Sequence, residues 1–93
     1  MSGRTIVWID DDVDIIGPAI LLLQRAGHSF LTCRTVSEAL ALLEQIRHAD
    51  LVLLDMILPP GSDYVPCDSY LGMYLLREFR ETHGITTPVV VFT

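Results

Sequence analysis

Three apolar runs each end in a group that can bind a cation or a phosphoryl oxygen. Thr5-Ile6-Val7-Trp8-Ile9 runs into Asp10-Asp11-Asp12, Leu51-Val52-Leu53-Leu54 runs into Asp55, and Val89-Val90-Val91-Phe92 runs into Thr93. Short continuous apolar runs of this kind read as strands buried on both faces, the type found in parallel sheets. Ligands of open α/β sheets sit outside the carboxyl ends of the strands. Neighbouring strands would therefore gather three or four carboxylates at one lip, with a hydroxyl nearby. Their repulsion must be relieved by a cation, by protonation or by solvent. Oxygen ligands at such density suit Mg2+, which takes a few carboxylates and keeps several waters. Asp12 and Asp14 have a plainer reading, as acids in a first helical turn where the dipole favours them.

Other elements must position these ends. A helix is expected from the acid cluster to about Ala26, with Gly27 as its stop. Pro18 lies inside it and predicts a kink or a late start. Ile15, Ile16, Ala19, Ile20, Leu21, Leu22 and Leu23 leave it almost no polar face, so it is expected to be buried all round. Ser29–Cys33 reads as a more polar edge strand. Thr35 and Glu38 form a capping box ahead of one helix carrying Ala39, Leu42, Leu43 and Ile46 at helical spacing. After Asp55, Pro59-Pro60-Gly61-Ser62-Asp63 opens a stretch of loop composition to about residue 70. A last helix is expected over Tyr70–Thr82, with Leu71, Tyr74, Leu75 and Phe79 on one face. Thr87-Pro88 then opens the final strand, where Pro is tolerated at the first position. The order β-α-β-α-β-α-β, with right-handed crossovers, puts helices on both faces of a parallel sheet.

Composition bounds the function. Ninety-three residues make one small domain with a modest core. The net charge is -6, from 12 acids against 6 bases, so this segment offers no basic patch for nucleic acid. It is 51% hydrophobic with a mean hydropathy of +0.44, yet Ile15 to Leu23 is too short to span a bilayer. No signal peptide is visible. Cys33 and Cys67 lack metal-ligand spacing and read as reduced thiols of a cytoplasmic protein. His28, His48 and His83 are scattered, which argues against a zinc site.

The three strand-end motifs, in this order, resemble the receiver domain of two-component response regulators. The separation of Asp11 and Asp55 and the placement of Pro59 after Asp55 fit that family. The resemblance implies a flavodoxin-like α/β fold with strand order 2-1-3-4, lacking the usual last strand and last two helices. It covers the whole chain, 1–93, as a receiver domain incomplete at its C-terminus. The stretch at about 59–70 is longer than the family pattern, either as a tolerated insertion or as a lid or partner surface. The implied function is phosphorelay signalling: Asp55 accepts a phosphoryl group from a histidine kinase or phosphotransfer protein, and the chain is not an enzyme in the ordinary sense. The implied cofactor is Mg2+, held by Asp11, Asp55 and the backbone carbonyl of Ile57, with Asp10 acting through water. Thr93 would contact the phosphoryl group and act as the switch. The Lys that would ion-pair with the acyl phosphate has no match; Arg47, Arg77 and Arg80 sit on helices at the wrong places.

Two other readings stay open. A receiver-like docking or dimerisation module without phosphotransfer would fit the missing Lys and the long loop. Exposed strand four and helix one are its candidate homodimer surfaces, since a naked apolar edge invites pairing. A haloacid-dehalogenase-like phosphohydrolase would use Asp10-x-Asp12 and a later hydroxyl, but it leaves Asp55 without a role. Neither reading calls for a membrane.

Overall fold

A computed structural model describes residues 3–59 and 71–92. All but the first residue of the expected 59–70 loop lies outside the described residues, as does Thr93. The elements are β1 (Thr5–Ile9), α1 (Val13–Arg25), β2 (Ser29–Cys33), α2 (Val36–Leu40), α3 (Leu43–Arg47), β3 (Leu51–Asp55), α4 (Leu71–Arg77), a π-helical turn (Glu78–Thr82) and β4 (Val89–Phe92). All strand pairs are parallel and the sheet order is β2-β1-β3-β4, as expected. The chain leaves β1 toward β2 on one side, then crosses back to β3 on the other. With right-handed crossovers, that reversal places α1 on one face of the sheet and the later helices on the opposite face. It also makes the β1/β3 boundary the switch point, where ligands bind in such sheets.

The two faces are unequally filled. Val7, Ile9, Cys33, Val52 and Leu54 share one face by register and are fully buried. They form one core with Val36, Ala39, Ile46, Leu71, Leu75, Phe79 and Ile85 from the helices and connections. Each large side chain removed from water here contributes about 1.5–3 kcal/mol. On the other face Ile6, Trp8, Phe30 and Leu53 are only half-buried, and Val90 is exposed. Trp8 meets Phe92 edge-on at 6.4 Å and Phe30 at 6.3 Å, so aromatic contacts do part of the packing there.

Helix α1 corrects two expectations. It starts at Val13 and keeps Pro18 inside, so there is no late start. Nor is it buried all round: Leu21 is 48%, Leu22 67% and Leu23 39% exposed, and Ile20 alone is buried among its described side chains. A helix laid on a four-stranded sheet buries one stripe, and no described element lies over the others. No helix of the described residues is long and apolar enough to cross a membrane.

The single helix expected after Thr35 is two helices. The Leu42 amide donates to the Ala39 carbonyl at 3.1 Å, an i to i−3 bond, and Leu42 takes φ -121, ψ 30. That tight turn divides the helix while leaving Ala39 and Ile46 buried on its two sides. The capping box is also modified. The Thr35 side chain accepts from the Glu38 amide at 3.1 Å, but the Glu38 carboxylate accepts from the Arg34 amide at 2.7 Å, one residue before the cap. Helix α4 buries Leu71 and Leu75 as expected, then widens into the π-helical turn, which buries Phe79; there the His83 amide bonds the Glu78 carbonyl at 3.1 Å.

Candidate functional site

The site is assembled by strand register. Ile9 pairs with Leu54, so the next residues, Asp10 and Asp55, leave neighbouring strands side by side. The flanking strands hold both ends. The Asp10 amide donates to the Cys33 carbonyl of β2 at 2.9 Å, and the Met56 amide to the Phe92 carbonyl of β4 at 2.8 Å. Asp10 is 6% and Asp55 9% exposed, while Asp11 is open to solvent. One carboxylate oxygen from each of Asp10, Asp11 and Asp55 lies within 4.8 Å of the others, the sole such group among the described residues.

Backbone amides aim the two buried acids. Asp10 Oδ1 accepts from the Asp12 amide at 2.9 Å, and Asp55 Oδ1 from the Ile57 amide at 3.0 Å. Each turn occupies one lone pair of one oxygen and leaves the other oxygen without an amide partner among the described residues. Burial raises the Asp10 carboxyl above its ordinary range; the Asp12 amide opposes this, and the charges of Asp55 and Asp11 push it up further. Like charges this close need a counter-charge or a shared proton. Three hard oxygen donors, one of them solvent-facing, fit Mg2+ with part of its water shell retained.

The other expected positions resolve as follows. Asp12 stands at the N-cap of α1, exposed and without a side-chain cap bond, and is not in the cluster. The Asp14 side chain lies outside the described residues, as does Thr93. Ile57 directs its amide at Asp55, with its side chain 58% exposed. The histidines are engaged apart from one another: His28 Nδ1 accepts from the Arg4 amide at 3.2 Å, and His48 Nδ1 meets the Glu44 carbonyl at 2.9 Å.

Two features behind the acids were not legible in the chain. The Pro59 carbonyl accepts from the Val36 amide at 3.1 Å, so the first free N–H of α2 ties down the turn after Asp55. Gly72 lies so near β3 that a Cβ there would overlap the Asp55 carbonyl oxygen and Met56 Cα. A glycine opening a helix signals close approach, but not what it approaches.

Cys33 is a free, fully buried thiol whose pKa burial pushes up to about 12, with the Glu38 charge adding to it. Only thiolate reacts with alkylating agents. Cys33 is therefore expected to resist iodoacetamide at pH 8 in the folded protein and to react fully in denaturant, read by peptide mass mapping. The unfolded thiol ionises near pH 8.5. The stability this burial gives is thus complete below that pH and lost as pH climbs from there toward about 12.

No family model matches the chain. It is 33% identical over 88 residues to the transcriptional regulatory protein CpxR of Klebsiella pneumoniae, covering 95% of this chain and 32% of that protein. It thus spans about a third of that relative's length. Among solved structures, the receiver domain of NtrX from Brucella abortus superposes with a TM-score of 0.66 at 31% identity, over 92% of this chain and 64% of that one. The MaeR response regulator bound to beryllium trifluoride gives 0.69 at 25% identity, over 100% of this chain and 67% of that one. Sheet order, strand-end acids and these likenesses converge: the chain belongs to the receiver domains of response regulators.

Proposed function

We propose that this domain takes a phosphoryl group onto Asp55 from a histidine kinase or phosphotransfer protein, in a Mg2+-dependent relay, and that it works in the cytoplasm. The carrying observation is the convergence of the Asp10, Asp11 and Asp55 carboxylates within 4.8 Å at the β1/β3 boundary. An Asp55 oxygen attacks phosphorus in line; the new O–P bond forms as the P–N bond to the donor imidazole breaks, and that nitrogen keeps the electron pair and gains a proton. Mg2+, bound by Asp11, Asp55 and the Ile57 carbonyl, with Asp10 through water, would neutralise the phosphoryl oxygens. The Ile57 amide on Oδ1 leaves Oδ2 of Asp55 as the nucleophile. Thr93 supplies the switch hydroxyl in this reading. Beryllium trifluoride on the MaeR regulator supports it, because that group imitates a phosphoryl group on a carboxylate.

The test is intact mass after acetyl phosphate with Mg2+. One added phosphoryl group is expected on the wild type and none on Asp55→Asn. A second reading, a docking or dimerisation module without phosphotransfer, is favoured by one fact: Leu21 and Leu22 of α1 and Val90 of β4 are apolar and exposed. An unmodified wild type that self-associates in sedimentation, through β4 and the exposed α1 leucines, would select that reading.

A further inference from the structure

We infer that Gly72 is a positioning residue for the Asp55 carboxylate, acting through the peptide unit between Met56 and Ile57; this rests on Asp55 being the acceptor and a metal ligand. The Gly72 amide donates to the Met56 carbonyl at 2.9 Å. The Ile57 amide donates to Asp55 Oδ1 at 3.0 Å. That carbonyl and that amide belong to one planar group and point in opposite directions. Turning the carbonyl end therefore turns the amide end, and with it the oxygen the amide holds. The plane is clamped at both ends, by α4 on one side and by the acid on the other.

The clamp needs glycine. The first turn of α4 packs so near β3 that any Cβ at position 72 would overlap the Asp55 carbonyl oxygen and Met56 Cα, both backbone atoms that cannot swing aside. A side chain must push α4 outward, lengthen the bond to Met56 and release the plane. Gly72 is 17 positions from Asp55 in the chain, so the coupling is tertiary. Leu75, one turn on and fully buried, anchors the same helix in the core and is the natural control.

The experiment titrates Mg2+ into wild type, Gly72→Ala and Leu75→Val by calorimetry, with a urea melt of each. Gly72→Ala is expected to bind Mg2+ at least tenfold more weakly, while Leu75→Val loses stability but keeps its affinity within about twofold. Equal weakening in both variants, or none in Gly72→Ala, overturns the inference. A wild type that binds no Mg2+ overturns instead the reading of the acid site on which it rests. If Gly72→Ala does not fold, hydrogen exchange on the wild type decides: the Gly72 amide is expected to slow at least tenfold with Mg2+, and an unchanged rate rejects the clamp.

Discussion

Phe79→Ala is expected to cost about 3–5 kcal/mol, a large share of the stability of so small a domain. Phe79 has no exposed surface and packs in the cluster joining α4 to Val52, Leu54 and Ile85. A domain of this length has roughly 5–14 kcal/mol of net stability at typical per-residue values. The counterpart is Leu22→Ala. Leu22 is the same class of residue by composition but is 67% exposed, so its removal should change stability by less than about 0.5 kcal/mol. Urea melts of both variants test the unequal filling of the two sheet faces. At a slope of roughly 1–3 kcal/mol/M, Phe79→Ala should lower the midpoint by more than about 1 M. A Leu22→Ala loss as large as that of Phe79→Ala would mean that something covers α1 in solution.

That contrast shows where residue type and spacing stop being informative. The strands were legible because a continuous run such as Leu51–Leu54 has few other homes than a parallel sheet. The acid site was legible for the same reason, since each run places its acid at the same end. Burial of α1 was misjudged because apolar composition measures what a helix could bury, not what lies over it. The break between α2 and α3 was invisible because Leu42 and Leu43 keep the helical spacing while the Leu42 amide bonds one residue short. The Glu38 bond to Arg34 differs from the expected box by one backbone amide, a choice made by local geometry. The tie from Gly72 to Met56 joins α4 to the end of β3, and no local pattern encodes which backbone a glycine approaches. Thr93 and residues 60–70 of the expected loop lie outside the described residues.

Saturating Mg2+ is expected to stabilise the protein strongly, and the pH dependence of the metal-free form explains why. Asp10 titrates above its ordinary carboxylate value of 3.8, through burial first and the charges of Asp55 and Asp11 as well. A raised carboxyl favours the folded state when protonated. Its contribution is complete below the unfolded value and is lost as pH rises through the folded one, the reverse of an ion-paired aspartate. At pH 7 the metal-free Asp10 carboxylate therefore opposes folding. A cation supplies the missing counter-charge, and at 100 times its Kd a ligand specific to the folded state adds about 2.7 kcal/mol. For a domain of this size that is a rise in Tm of roughly 10–20 °C. Asp10→Asn separates the two contributions, because it removes one of the three charges while keeping the side chain's shape. It should raise the Tm of the metal-free protein at pH 7 and shrink the gain from Mg2+, leaving the core contacts of Ile9 and Leu54 untouched. Scanning calorimetry with and without Mg2+ reads both effects. A variant less stable than wild type without metal would show that the negative charge of Asp10 strengthens its bond from the Asp12 amide by more than its repulsion with Asp55 and Asp11 costs.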